Sequence, residues 1–145
     1  MNNENSKPDL GSIIYSYTRS QAIADGFQIE VTKIAAEAGI LFPVFITRGV
    51  YEQCVAVPLD ASGQPLAGQD EAGRLWDVVW MLRFAITRSK PGTMASPART
   101  RLVVALYVRN SDSQPARLIK LIATAGAVDI DDPAPAITVM LPDED

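Results

Sequence analysis

The run from Gln69 to Ser89, QDEAGRLWDVVWMLRFAITRS, constrains this chain more than any other. Its spacing predicts a single helix of about five turns, near the upper end of ordinary globular helices, so a small domain has to be built around it. At 100° per residue, Ala72, Leu75, Val79, Leu82 and Ile86 share one side, with Trp76, Val78 and Ala85 at its borders, and this side is expected to be buried. The opposite side carries Asp70, Arg74, Asp77 and Arg88 interleaved with Trp80, Met81 and Phe84. That mixture is too apolar for a solvated face and too charged for a core. A second layer of the same chain, or a partner, is expected to cover it.

A chain of 145 residues fits one domain and can bury a core without metals or disulfides. Its apolar share of 48% and charged share of 21% are ordinary for globular proteins and argue against general disorder. The single cysteine, Cys54, excludes an internal disulfide, and the lack of a charged-then-apolar leader points to the cytoplasm. No run approaches the roughly 18 apolar residues that span a bilayer, so no membrane association is expected. The absence of histidine removes every mechanism in which imidazole is base, acid, proton shuttle or metal ligand. One thiol cannot supply a zinc site either, so neither a metal nor a cofactor is expected. Carboxylate, tyrosine, lysine and arginine are left to carry any chemistry.

The net charge of −4 hides an uneven distribution. All 13 bases fall before Asp129, whereas six of the 17 acids (Asp129, Asp131, Asp132, Asp143, Glu144 and Asp145) lie from there to the end. A basic middle and an acidic end either neutralise one another across a sheet or face separate partners.

Local signals order the rest of the chain. Residues 1–11 read as a loose terminus, and Ser12–Tyr17 as a strand. Thr18-Arg19-Ser20-Gln21 matches a capping box opening a short helix that Gly26 stops. Phe27–Val31 alternates as a strand. Thr32 is expected to cap a second helix ended by Gly39. Pro43 places Ile40–Ile46 at an edge or in an irregular segment. Thr47 caps a third helix whose stripe of Val50, Tyr51, Cys54 and Val55 faces inward, with Cys54 as packing rather than a reactive thiol. Pro58–Gly68 is a loop, Asp70 caps the long helix, and Lys90–Thr100 is a second loop. Leu102–Val108 and Leu118–Thr124 form a long-looped hairpin, with Ala136–Leu141 as a further strand. The expected fold class is α+β, with a helix-rich first two-thirds and one long helix packed on a small antiparallel sheet of three to five strands. The expected domain spans 12–142, followed by an acidic end at 143–145.

Three groups of residues carry candidate chemistry. Asp70, Arg74 and Asp77 stand at i, i+4 and i+7, either as a ligand-binding carboxylate pair held apart by an arginine or as an intrahelical ion-pair ladder. Asp77, close to Trp80, needs a named partner if that side is buried. Tyr15, Tyr17 and Arg19 sit at a strand-to-helix junction, where tyrosine donates and arginine clamps phosphate or carboxylate; rim packing is the plainer alternative. Arg48 and Glu52 stand at i and i+4 with the same ambiguity. The basic residues Arg88, Lys90, Arg99 and Arg101, with Arg109 and Arg117, could contact phosphate, but few aromatics accompany them and the overall charge is acidic, so nucleic acid is disfavoured.

The segments IIYSYTRSQAIADGFQIEV, FPVFITRGVYEQCV and QDEAGRLWDVVWMLRFAI, with a closing AITVMLP, resemble an uncharacterised family of small bacterial proteins often encoded on plasmids, phages and other mobile elements. The resemblance spans roughly Ile13 to Asp143 and carries no activity, so it transfers no catalytic residue. The sequence reading is a small non-enzymatic binding or accessory protein that meets a protein partner, or forms a homodimer, through the central helix. The alternatives are an enzyme built on Tyr15, Arg19 and Asp77 or Glu52, and a phosphate or nucleic-acid binder using the basic 88–101 loop.

Overall fold

The computed structural model describes residues 17–89 and 101–144. Tyr15, the rest of the expected first strand before Tyr17, the 1–11 terminus and the Lys90–Thr100 loop lie outside the described residues. In chain order the elements are α1 (Arg19–Ala24), β1 (Gln28–Glu30), α2 (Thr32–Glu37), β2 (Val44–Thr47), α3 (Arg48–Val50) running into a π turn (Tyr51–Val55), α4 (Glu71–Arg88), β3 (Arg101–Val108), β4 (Arg117–Asp129), β5 (Asp132–Met140) and a closing 3₁₀ turn (Pro142–Glu144).

The strands form one five-stranded sheet in the order β1-β2-β5-β4-β3. The β3–β4 hairpin is antiparallel, with Val104 opposite Leu121 and Val108 opposite Arg117. Beside it, β4 and β5 pair antiparallel as well. β2 runs parallel to β5, with Val44 beside Ile137 and Ile46 beside Val139. Strand alternation therefore sends Val104, Leu106, Leu121, Ala123, Ile137, Val139, Val44 and Ile46 to one face, where Val78, Val79 and Leu82 of α4 complete the core. The other face carries α1 at one end, with Arg19 set over the Phe45 ring at 4.0 Å. At the other end Val103, Tyr107 and Leu118 are exposed.

The expected helix-rich first two-thirds on a small antiparallel sheet is overturned. The fold is α+β, but its sheet is mixed, and two of its strands, β1 and β2, come from the part expected to be mainly helical. Only α4 is long. α1 and α2 have six residues each, and the third helix is one α-turn continued by a π turn. The physical reason is long-range: Val44 and Ile46 are buried by pairing with a strand some ninety residues later, and local spacing carries no trace of such a parallel partner. Pro43, read as a sign of an edge, instead precedes an interior strand, and its carbonyl accepts from Ile137 N at 2.9 Å. Pro133 and Pro135 are tolerated in β5 because they lie before Ile137, where the pairing with β2 begins.

Several local expectations match the structure. Thr18 and Gln21 form the reciprocal capping box, and Gly26 follows at φ +79. Thr47 Oγ accepts from Val50 N, and Asp70 accepts from Gly73 N to open α4. Thr32 does not cap: Val31 holds that position, while the Thr32 hydroxyl donates to Glu30 at 2.8 Å and accepts from Val44 N at 3.1 Å.

Candidate functional site

The mixed face of the central helix divides in two. Its buried stripe is turned toward Arg74 and Val78, with Arg74 only 5% exposed, and Ala72 and Trp76 lie outside it. Arg74 is no rung of an ion-pair ladder. It donates from Nε to Val55 O at 3.2 Å and from Nη2 to Gln53 O at 3.4 Å, the last carbonyls of the π turn. It also donates from Nη1 to Arg109 O and from Nη2 to Asn110 Oδ1, each at 2.7 Å. The guanidinium thus caps a helix end whose carbonyls have no partner within the helix, and ties it to the end of β3. Burial lowers its pKa, opposed in smaller part by the Cys54 and Asp77 side chains. Cys54, inside the same contact, has its thiol pushed up to about 11 by burial.

Arg19 is engaged in the same manner. Nε donates to Val128 O and Nη1 to Gln28 Oε1 at 2.8 Å and Thr138 Oγ1 at 3.0 Å, with Nη2 reaching Ala127 O at 3.3 Å. The first amides of α1, which could otherwise hold an anion, are filled by Asp129. Its carboxylate accepts from Arg19 N at 2.9 Å, Ser20 N at 3.0 Å and the Ser20 hydroxyl. The bond from Ile130 N at 2.8 Å, followed by those from Arg19 and Ser20, holds its pKa down to about 2 against a smaller burial effect. A cleft of about 560 Å³ opens here between α1 and the β4–β5 turn, with Tyr17, Asp129 and Glu144 on its walls. Tyr17 donates to Asp25 at 2.7 Å, which raises its pKa. Among the described residues the Arg19 guanidinium is engaged by Val128 O, Gln28, Thr138 and Ala127 O, and the charged groups beside it in the cleft, Asp129 and Glu144, are acidic.

Arg48 turns away from Glu52. Nε donates to Gly26 O at 2.9 Å, capping α1, and the guanidinium lies over Phe27. Glu52 is exposed on the π turn. Arg19 and Asp77 lie on opposite faces of the sheet, and Tyr15 of that set lies outside the described residues. Among the described basic residues Arg101 opens β3 and Arg109 follows its far end, about 26 Å apart at ~3.3 Å per residue. Among the described residues no group of His, Cys, Asp and Glu could hold a metal ion, and no helix is long and apolar enough to cross a membrane.

What stays open is a row on the outward side of α4. Trp76, Trp80 and Phe84, at i, i+4 and i+8, are 36%, 45% and 46% exposed. The two indoles stack with centroids 5.8 Å apart and planes inclined by 22°. Arg83 lies over Trp80 at 5.3 Å and Arg88 over Phe84 at 5.3 Å. Asp77 is exposed beside the row. Gly39 backs Arg83 closely: a Cβ there would stand 3.0 Å from its Nε. Sequence reasoning placed Trp76 at the border of the buried face and did not single out Arg83; the signal available was the four-residue spacing of three aromatics with an arginine three after Trp80. No family model, curated protein or solved structure matches this chain.

Proposed function

We propose that this chain is a non-enzymatic binding protein that recognises another protein chain through the outward row of α4. The observation that carries the reading is the ladder Trp76–Trp80–Phe84, exposed along one helix and already ordered by indole stacking and two overlying guanidinia. Tryptophan and arginine are the residues most enriched at interface anchors, and side chains ordered before contact lose less entropy on binding. A cytoplasmic accessory role among small mobile-element proteins is part of the same proposal. The reading is tested by placing a photo-activated benzoylphenylalanine at position 80, and at the exposed Ser113 as control, in the full chain expressed in bacteria. Adducts formed at position 80 but not at 113, and diminished by Phe84→Ala, are the expected result. Absence of adducts at position 80 overturns the reading.

A further inference from the structure

Building on that contact surface, we propose that its occupant is a second copy of this chain, with α4 packed on α4 about a twofold axis that runs along the aromatic row. The row follows the i, i+4 ridge of the helix, inclined about 26° to its axis, and two such ridges lying together cross their helices at about 50°, the commonest packing class. Symmetry allows two ways of laying the row against itself. With the axis along the row, Trp80 meets Trp80 and the ends stay in register. With the axis across it, Trp76 of one copy meets Phe84 of the other.

The flanking charges decide between them. Asp77 stands three residues before Trp80 and Arg83 three after, on opposite sides of the row. An axis along the row sets Asp77 of each copy against Arg83 of the other, twice over. An axis across the row sets Asp77 against Asp77 and Arg83 against Arg83, which repel. Only the first pairing is self-complementary. Neither Asp77 nor Arg83 has a hydrogen bond among the described residues: Asp77 is exposed, with Arg74 as a charged neighbour one turn back, and half-buried Arg83 is held in place over Trp80. Each step of four residues turns the row by about 40° around the helix, so Arg88 has already swung out of the contact.

The test is sedimentation velocity of the full chain over a range of concentrations, for wild type, Asp77→Arg, Arg83→Asp and the double variant. The wild type is expected to dimerise reversibly. Each single reversal should weaken the dimer by about tenfold or more, and the double variant, which restores two opposite-charge contacts, should recover to within about threefold of wild type. Asp77 is exposed whereas Arg83 is half-buried against Gly39, so circular dichroism melts of the monomers check that each variant, Arg83→Asp above all, is folded. A wild type that stays monomeric, or a dimer indifferent to both reversals, overturns the proposal. The photo-adduct at position 80 separates the two levels of inference. An adduct of twice the chain mass supports the second copy. An adduct with a different protein overturns the second copy while leaving α4 as a binding surface, and no adduct overturns both.

Discussion

The Arg74 guanidinium, beneath α4, donates to the side-chain oxygen of Asn110 at 2.7 Å, and Asn110 Nδ2 in turn donates to the Gln53 carbonyl at 2.9 Å. Together these two side chains close the end of the π turn against the end of β3. A residue that sequence spacing offered as a binding cation is thereby the cap of a helix end about twenty positions before it. Removing it takes the guanidinium donor from the buried Val55 carbonyl and from the part-buried Arg109 O and Asn110 Oδ1. Arg74→Ala is expected to cost about 2–4 kcal/mol in denaturant unfolding. Lysine is expected to recover little of this, because a single ammonium cannot reproduce the planar fork. A loss below about 1 kcal/mol would show that the carbonyls are satisfied without it.

Asp129 makes acid stability readable. Its folded pKa of about 2 lies below the ordinary aspartate value near 4. Between these values the unfolded chain binds the proton more readily than the folded one, so stability falls as pH falls. The stabilising contribution is complete above about pH 4 and lost toward pH 2. Asp129→Asn should therefore be less stable than wild type at neutral pH, and the gap should narrow across that window in acid-unfolding curves. Parallel curves for the two proteins would contradict the assigned role.

Cys54 should be chemically silent in the native state. It is 1% exposed and its thiol is pushed up to about 11, so thiolate is scarce at pH 8 and reagents cannot reach it. Labelling by an aromatic disulfide should be slow in buffer and complete on addition of denaturant. Rapid labelling at pH 8 would show that the π turn opens locally.

The two sides of α4 should respond differently to truncation. Leu82 is fully buried, so Leu82→Ala is expected to cost about 2–5 kcal/mol. Trp80→Ala, measured at concentrations low enough for the monomer, should change stability by less than about 1 kcal/mol, and acrylamide should quench the wild-type indoles efficiently. A large stability loss at Trp80 would mean that the row is part of the core.

Gly39 tests the support of Arg83. Its φ of +96 and the 3.0 Å approach to Arg83 make any Cβ strained as well as crowded. Gly39→Ala is expected to lower stability by about 1 kcal/mol and to displace the arginine from Trp80, visible as a change in tryptophan fluorescence.

The elements legible in the sequence are those whose cause is local. The Thr18–Gln21 capping box, the Thr47 and Asp70 caps, the left-handed Gly26 and Gly39, the long helix and the β3–β4 hairpin all follow from side chains within a few residues of the backbone they satisfy. The mixed face of α4 was legible as an anomaly, but not its division into a buried arginine and an open aromatic row. That division depends on how α4 is rolled against β3 and on the carbonyls that the π turn presents beneath it. Likewise Arg19, Arg48 and Asp129 were ambiguous in isolation, because a guanidinium or carboxylate near a helix end serves a ligand or the protein equally well until the neighbouring chain is placed. By itself the sequence determined the helix, its caps and the exclusion of imidazole chemistry, since these depend on residue type and short-range spacing. Only the tertiary structure decided the parallel β2–β5 pairing, the cap roles of the arginines and the outward aromatic row, because each rests on contacts between segments far apart in the chain.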